Sequence, residues 1–232
     1  NKTKDSLPAL LGSLRMHALN TNRKWATEFN IEPSAAITCV KPSGTVSQLV
    51  DAASGIHPRH SEYYIRTVRA DKKDPLTLFM TDAGFPVEDE NKKPESTAVF
   101  SFPIKAPKGA ITRHDMTAIE HLEIWKIYAE YWCEHKPSIT VSVKEDEWLK
   151  VGAFVYENFD DMSGVSFLPM SEHIYEQAPY QDCTKEEYEA LLKKMPDGID
   201  WKGLSEYEGD DNTVSSQTLN CVGDFCEVVD LV

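Results

Sequence analysis

Apolar residues recur every three or four positions in several stretches of the chain, and each stretch predicts a helix. The first runs from Ser6, a candidate N-cap, to about Phe29, and a helical turn or two is expected from Pro75 to about Ala83. The clearest helix follows Asp115, a plausible cap, and stops at Lys136-Pro137. Two further helices are expected at Glu145 to about Asn158 and after the Thr184-Lys185-Glu186-Glu187 capping box.

Short runs rich in β-branched residues predict strands between these helices. They are Ala35–Val40, Tyr64–Arg69, Ser96–Phe102, Ser138–Val143 and Gly164–Leu168. The last two flank a predicted helix, and this strand, helix, strand order is typical of parallel α/β architecture. The sequence therefore predicts an α/β fold in which short apolar strands line a sheet or barrel and helices cover it.

Composition narrows the classes of protein to consider. The 232 residues are 41% hydrophobic and 10% aromatic, which suits a globular protein with a sizeable core. No apolar run approaches eighteen residues and the first residues carry no signal-peptide pattern, so we expect a cytoplasmic protein that does not associate with a membrane. The net charge of −14 argues against a nucleic-acid partner, although a basic stretch lies between Pro58 and Lys73.

The stretch from Lys41 to Gln48 reads as a phosphate-binding turn between a strand and a short helix that runs to about Ala53. Gly44 allows close approach to the backbone, the hydroxyls of Ser43, Thr45 and Ser47 can donate hydrogen bonds, and a helix beginning here offers unpaired N–H groups. An ordinary strand–turn–helix junction explains the same residues, because the spacing is not that of a Walker loop or a dinucleotide fingerprint. The turn alone leaves both interpretations open.

The last residues carry a second candidate for chemistry. Cys221 and Cys226 form a Cys-x4-Cys pair with a glycine between them, on a tail that follows an acidic run from Glu206 to Asp211 and that we expect to be flexible. Such a pair suits reversible disulfide exchange with a buried site. Inert thiols are the alternative, and structural zinc is disfavoured because no second chelating pair accompanies Cys39, Cys133 and Cys183. No metal-ligand constellation is found. His57 and His60 could contact an anion, and the Tyr63-Tyr64 pair could relay a radical, but these residues are weaker candidates than the turn and the cysteine pair.

The turn and the tail together resemble the ribonucleotide reductase large-subunit family. Within it, Val40–Leu49 and Ser54-Gly55-Ile56-His57-Pro58-Arg59 look most like the adenosylcobalamin-dependent ribonucleoside-triphosphate reductases. Three further segments look familiar from these enzymes, so the resemblance runs through nearly the whole chain: Pro137–Val141, Val165–Pro169 and Gln177–Tyr180.

The resemblance implies the carboxy-terminal portion of a ten-stranded α/β barrel at residues 1–205, followed by an acidic linker and redox tail at 206–232. It implies that the substrate phosphates lie at Pro42, Ser43, Gly44, Thr45, Val46 and Ser47. It implies as donors the N–H groups of Gly44, Thr45 and Val46 and the hydroxyls of Ser43 and Thr45. Cys221 and Cys226 would be the shuttle dithiol, reduced again by thioredoxin.

In this family a thiyl radical, generated with adenosylcobalamin, removes a ribose hydrogen, and a cysteine pair in the barrel is oxidised. No residue here matches that machinery, and we cannot place the radical cysteine on Cys39, Cys133 or Cys183. We therefore expect a carboxy-terminal piece, from a truncated frame or a split gene, that needs a missing amino-terminal part to act. A stand-alone nucleotide-binding module and an unrelated thiol–disulfide carrier are the alternatives.

Overall fold

The computed structural model describes residues 2–44, 46–170, 176–209, 218–222 and 225–229, with only the backbone described at 2–5 and in the last two segments. The helices are α1 (Lys2–Glu28), α2 (Val46–Leu49), α3 (Pro75–Asp82), α4 (Ala118–Tyr131), α5 (Trp148–Glu157) and α6 (Lys185–Leu192). The strands are β1 (Tyr63–Asp71), β2 (Val87–Asp89), β3 (Thr97–Lys105), β4 (Ile139–Val143), β5 (Val165–Pro169), β6 (Tyr180–Asp182), β7 (Thr218–Val222) and β8 (Phe225–Val229). Short 3-10 helices cover Glu145–Glu147 and Trp201–Glu206.

The chain divides into two compact units. The first comprises Asn1–Arg59 with Pro107–Ser171, and the second comprises His60–Ala106 with Glu172–Val232. Each unit is therefore built from two separate stretches of sequence. The proposed boundary between residues 205 and 206 stays a prediction.

The first unit contains the predicted strand–helix–strand element. Strands β4 and β5 pair in parallel from Ile139 opposite Val165 to Val143 opposite Pro169, and α5 lies between them in sequence. Alternate residues of β4 point into a core shared with Leu122 and Trp125 of α4 and Val151 of α5. Burying one face of a strand under helices is what its period-two apolar pattern requires, so the parallel α/β prediction is confirmed for this element.

Two predicted helix starts in this unit are wrong. Helix α1 begins at Lys2, so Ser6 lies inside it and is not its cap. Helix α4 is capped by Thr117, whose hydroxyl accepts from Glu120 N–H at 3.2 Å while the Glu120 carboxylate accepts from Thr117 N–H at 2.9 Å. The helix therefore begins after this reciprocal capping box. Asp115 does not cap it, because the Asp115 carboxylate accepts from the backbone N–H and the hydroxyl of Thr112 instead.

The segment Ala35–Val40 is not a strand, although its composition predicted one. The Glu134 carboxylate, just after α4, accepts from the N–H groups of Ile37 and Thr38 at 3.0 and 3.3 Å, and Thr38 C=O accepts from Glu134 N–H at 2.9 Å. The backbone of this segment is thus bonded mainly to the residues that follow α4, with one further bond from Ser138 N–H, just before β4, to Val40 C=O at 3.2 Å. Apolar β-branched residues indicate burial here, but they do not by themselves supply a pairing partner.

The second unit is built on a four-stranded sheet in the order β2-β3-β1-β6. All three pairings are antiparallel, including β1 with β3 from Tyr63 opposite Lys105 to Asp71 opposite Thr97. The predicted strand Ser96–Phe102 corresponds to β3, which continues through Pro103 to Lys105. Pro103 lies beyond the residues of β3 that pair with β2, so it needs no N–H group toward β2. The chain is therefore mixed α/β, and a ten-stranded barrel stays a prediction.

Local capping signals of the second unit agree with the sequence. Asp74 caps α3 by accepting from Leu76 N–H at 2.8 Å, with Pro75 in the first helical position. The predicted capping box opens α6, where Thr184 and Glu187 exchange backbone and side-chain hydrogen bonds. Both signals act within four residues, which is why they can be read without tertiary structure.

The carboxy-terminal region contains an antiparallel pair that the sequence did not predict. Strand β7 pairs with β8 so that Cys221 lies opposite Cys226. Most of the tail that was predicted to be flexible, namely residues 210–217, 223–224 and 230–232, lies outside the described residues. Among the helices that the structure describes, none combines the length and apolar character needed to cross a bilayer.

Candidate functional site

The Pro42–Ser47 turn precedes α2 in the first unit. Helix α2 is a single turn, Val46–Leu49, and does not reach the predicted end near Ala53. Pro42, Gly44 and Val46 are exposed, Ser43 is half-buried and Ser47 is buried, while Thr45 lies outside the described residues. A helix this short adds little dipole, so any anion site here must depend on the local backbone and hydroxyl groups.

Two hydroxyl groups hold the turn together from within. Ser47 N–H donates to Ser43 Oγ at 2.9 Å, and Ser47 Oγ–H donates to Ser43 C=O at 3.1 Å. The Ser47 hydroxyl proton is therefore committed to the turn itself. Ser43 Oγ acts as an acceptor in this bond and keeps its own proton for a second partner.

A third hydroxyl joins the turn to the segment that follows it. Ser54 Oγ accepts from Ser43 N–H at 2.6 Å and donates to Ser43 C=O at 3.0 Å. Gly55 next to it has φ +59°, and a Cβ at this position would lie 2.8 Å from Lys41 C=O. The close approach of residues 54–55 to the start of the turn thus requires a residue without a side chain.

His57 fixes the same segment to β4. His57 Nδ1 lies 2.6 Å from Ser54 C=O, and Thr140 N–H donates to His57 Nε2 at 2.9 Å. Because Nε2 accepts, the proton of the neutral ring is on Nδ1 and is donated to Ser54. Burial lowers the pKa of His57, against the opposing effect of the Ser54 hydrogen bond, and so favours this neutral form.

His121 of α4 packs edge-on against His57, with ring centroids 5.5 Å apart. Its Nε2 lies 3.0 Å from Ile56 C=O, and the side chain is buried. Burial lowers the pKa of His121 to about 4, repulsion from His57 adds to this effect whenever that ring is protonated, and the Ile56 hydrogen bond opposes it. Near neutral pH the two histidines are therefore uncharged scaffold groups and not cations for an anion site.

The neighbouring cations are also engaged by the protein. Arg59 is buried and its guanidinium donates to Asp51 C=O at 2.6 Å and pairs with the Asp51 carboxylate. Lys41 Nζ donates to Lys136 C=O and Ser138 Oγ, both at 2.7 Å. The described groups that the turn offers a ligand are consequently backbone groups and the Ser43 hydroxyl, and a phosphate site here stays a prediction.

The other cysteines behave as small apolar residues. Cys39, Cys133 and Cys183 are free thiols, and burial is the main cause that raises the pKa of Cys133 and of Cys183. The raised pKa keeps the Cys133 and Cys183 thiols protonated near neutral pH, which makes them poor nucleophiles. In the part of the chain that the structure describes, no group of three or more His, Cys, Asp or Glu side chains is arranged to hold a metal ion.

Cys221 and Cys226 face each other across the β7–β8 pair. Directly opposite residues of antiparallel strands have Cα atoms about 4.5–5.5 Å apart, and disulfides span about 4.4–6.8 Å. The backbone register therefore permits the predicted dithiol to close into a disulfide. The structure describes no side chains here, so the redox role stays a prediction.

The remaining residues singled out from sequence lie in the second unit. His60 Nε2 is 3.1 Å from the Asp182 carboxylate, and Tyr64 is 1% exposed in the core. Tyr63 packs against Tyr188, with ring centroids 5.2 Å apart. These contacts account for the aromatic pair by packing.

Sequence reasoning associated Ser54 and His57 with the turn only through the family resemblance, and it missed His121 and Thr140. The only available signal was the Ser54–Pro58 motif, whose role no local pattern reveals. Residues 43, 57, 121 and 140 are brought together by folding over nearly 100 positions of sequence. Spacing rules for catalytic motifs do not reach that far.

Comparison with known proteins gives a consistent set of relatives. No family model matches the chain. An adenosylcobalamin-dependent ribonucleoside-triphosphate reductase of Euglena gracilis is 32% identical over 199 residues, which cover 84% of this chain and 27% of the relative. A probable enzyme of the same name from Dictyostelium discoideum is 33% identical over 182 residues, covering 75% and 23%. The corresponding enzyme of Lactobacillus acidophilus is 22% identical over 94% of this chain and 30% of the relative.

A solved structure shares the fold. The crystal structure of a B12-dependent, class II ribonucleotide reductase matches with a TM-score of 0.71 and 22% identity, over 89% of this chain and 29% of the other. The chain thus spans about a quarter of the length of the relatives that it matches.

Proposed function

The chain is homologous to one part of the adenosylcobalamin-dependent ribonucleoside-triphosphate reductases, and on that premise we propose that it supplies two working parts of such an enzyme. The Pro42–Ser47 turn binds the phosphates of a ribonucleoside triphosphate. The Cys221/Cys226 dithiol carries electrons to the site from thioredoxin. The whole enzyme converts ribonucleotides to 2′-deoxyribonucleotides, and this chain requires a further, amino-terminal part to do so.

The space around Gly44 is the observation that carries the phosphate assignment. A Cβ built on Gly44 would meet no described atom within 4 Å, although Ser43 on one side is held by several hydrogen bonds. Among the residues that the structure describes, Gly44 therefore has no steric reason to be glycine. An oxygen-rich ligand that approaches the backbone closely supplies such a reason, and peptide N–H groups and hydroxyls are the donors that it needs.

The dithiol proposal rests on the register of β7 and β8. Substrate reduction in this proposal consumes two electrons, and a barrel cysteine pair supplies them by forming a disulfide. Cys221 or Cys226 then attacks that disulfide as a thiolate, the barrel pair leaves reduced, and Cys221–Cys226 becomes the disulfide that thioredoxin reduces. The acidic run at residues 206–211 serves as the tether and, with 1–205 as the barrel portion, completes the proposed domain division.

The turn does not fit the cofactor. Its hydroxyl and peptide donors suit an oxyanion and not a corrin ring, so we assign none of the Pro42–Ser47 residues to adenosylcobalamin. In such enzymes the bound cofactor supplies the radical that starts the reaction. We place no radical cysteine at Cys39, Cys133 or Cys183, and a cytoplasmic location accords with the thioredoxin partner.

Replacing Gly44 tests the phosphate assignment directly. Gly44 does not have a positive φ, so alanine or valine fits the backbone and adds atoms only toward open space. We expect Gly44→Val to weaken binding of CTP by about tenfold or more, because its methyl groups occupy the place of a phosphate oxygen. Gly44→Ala is the matched control and should lose much less.

Isothermal titration of the 232-residue chain with CTP and with inorganic triphosphate gives the dissociation constants. Equal constants for the wild type and Gly44→Val would overturn the phosphate assignment. Mixing the chain with the amino-terminal part, adenosylcobalamin and reduced thioredoxin then tests the reaction. Deoxynucleotide formation supports the reductase, whereas CTP binding without it would favour a stand-alone nucleotide-binding module, and thiol exchange without nucleotide binding would favour a thiol–disulfide carrier.

A further inference from the structure

Ser54 and His57 link the phosphate turn to the core of the first unit. We propose that Ser54 is a positioning residue that sets the orientation of the Ser43–Gly44 peptide, and that His57 holds Ser54 in place. We call Ser54, His57 and their hydrogen bonds the brace. The identity of the ligand, a phosphate group, rests on the function proposed above, whereas the hydrogen bonds of the brace do not.

The geometry at Ser43 explains why one hydroxyl can set the orientation of a peptide. Ser54 Oγ bonds both the N–H and the C=O of Ser43, at 2.6 and 3.0 Å, and Ser47 Oγ–H donates to the same carbonyl at 3.1 Å. The carbonyl of Ser43 and the N–H of Gly44 belong to one planar trans peptide and point in opposite directions. Holding the carbonyl toward Ser54 and Ser47 therefore directs the Gly44 N–H to the opposite side of the turn.

The two hydroxyls play different parts. Ser47 lies within the turn, four residues from Ser43, and moves with it. Ser54 is eleven residues away and bonds the turn from outside it. Among the described contacts of Ser43, the Ser54 bonds are thus the ones that fix the turn relative to the rest of the unit.

His57 makes Ser54 a rigid support. The Ser54 carbonyl accepts from His57 N–H at 3.0 Å and lies 2.6 Å from His57 Nδ1, while His57 Nε2 accepts from Thr140 N–H at 2.9 Å. Thr140 lies in β4 between Ile139 and Val141, which are 2% and 0% exposed. Because Thr140 belongs to a buried strand, its N–H group holds the His57 ring in a fixed position, and the brace thereby connects the turn rigidly to the core.

Two substitutions at Ser54 separate positioning from mere packing. Ser54→Ala removes both bonds to Ser43, and Ser54→Thr retains a hydroxyl that can make them. Ser166→Ala is the control, because it removes another hydroxyl of this unit that bonds the Thr140 hydroxyl at 3.0 Å and not the turn. Amide hydrogen exchange at Ser43 and at Val141, together with titration by CTP and inorganic triphosphate, provides independent measurements.

We expect Ser54→Ala to speed exchange at Ser43 about tenfold and to weaken CTP and triphosphate binding by a similar factor, with Val141 unchanged. Ser54→Thr should restore both within about threefold, and Ser166→Ala should leave both unchanged. Unaltered exchange at Ser43 in Ser54→Ala would overturn the proposal, as would equal loss of protection at Val141, which would mean that Ser54 supports the whole unit. Faster exchange at Ser43 in a chain whose wild type binds neither probe would support the brace and reject the phosphate assignment.

Discussion

Gly55 offers the sharpest test of the site's geometry, because alanine there meets two separate penalties. Its φ of +59° lies in the left-handed region, where an L-residue costs about 1–2 kcal/mol. The new Cβ would also lie 2.8 Å from Lys41 C=O and 3.3 Å from Val40 Cγ1. Crowding against backbone atoms in a packed region typically adds about 1–3 kcal/mol, so Gly55→Ala should lower the free energy of unfolding by about 2–5 kcal/mol.

Gly109 provides a matched control in the same unit. Its φ is +80°, and a Cβ there would meet no described atom within 4 Å. Gly109→Ala should therefore show the backbone penalty alone, about 1–2 kcal/mol. The difference between the two variants isolates the contact with Lys41 and Val40.

Urea unfolding followed by tryptophan fluorescence measures both variants, since Trp125 is buried in the core of the first unit. With about 1–3 kcal/mol per molar urea, a difference of 2 kcal/mol separates the two midpoints clearly. If Gly55→Ala loses no more stability than Gly109→Ala, the close approach of residues 54–55 to Lys41 is wrong. The positions of Ser54 and His57 would then need revision too.

Two further predictions concern acid and thiols. The unfolded chain binds a proton at His121 below pH 6.5, while the folded chain resists protonation until about pH 4. The free energy of unfolding therefore falls as the pH drops below 6.5, by about 1.4 kcal/mol at pH 5.5 and by about 3 kcal/mol near pH 4. His121→Gln should flatten this dependence in urea titrations, and an unchanged slope would contradict the assignment. In the reconstituted enzyme, joint replacement of Cys221 and Cys226 by serine should abolish thioredoxin-driven turnover but leave one turnover from the reduced barrel pair, whereas undiminished multiple turnover would refute the shuttle.

Local signals in the sequence predicted local structure well. The Pro75 start of α3 and the Thr184–Glu187 capping box of α6 depend on residues within one helical turn of each other. The β4–α5–β5 element was also predicted, because a strand buried on its core face and an amphipathic helix have different apolar periods. The turn at Pro42–Ser47 was also located from local sequence, because the apolar run ends at Val40 and Gly44 follows shortly after it.

Errors arose where distant groups competed for the backbone. Ala35–Val40 has the composition of a strand, but the carboxylate of Glu134, almost 100 residues later, takes its N–H groups. The antiparallel sheet of the second unit was likewise missed, because β1 pairs with β6 across more than a hundred residues. Neither partner is visible in a window of neighbouring residues.

The sequence by itself determined the family resemblance, the place of the Pro42–Ser47 turn and the spacing of Cys221 and Cys226, because each is a property of residues close together in the chain. Only the tertiary structure decided how the turn is held. It showed that Ser47 serves the turn internally, that His57 is a neutral link to β4 and not an anion ligand, and that Arg59 is committed to Asp51. The orientation of a peptide group depends on which donors and acceptors folding brings within 3 Å of it, and that information is absent from any short stretch of sequence.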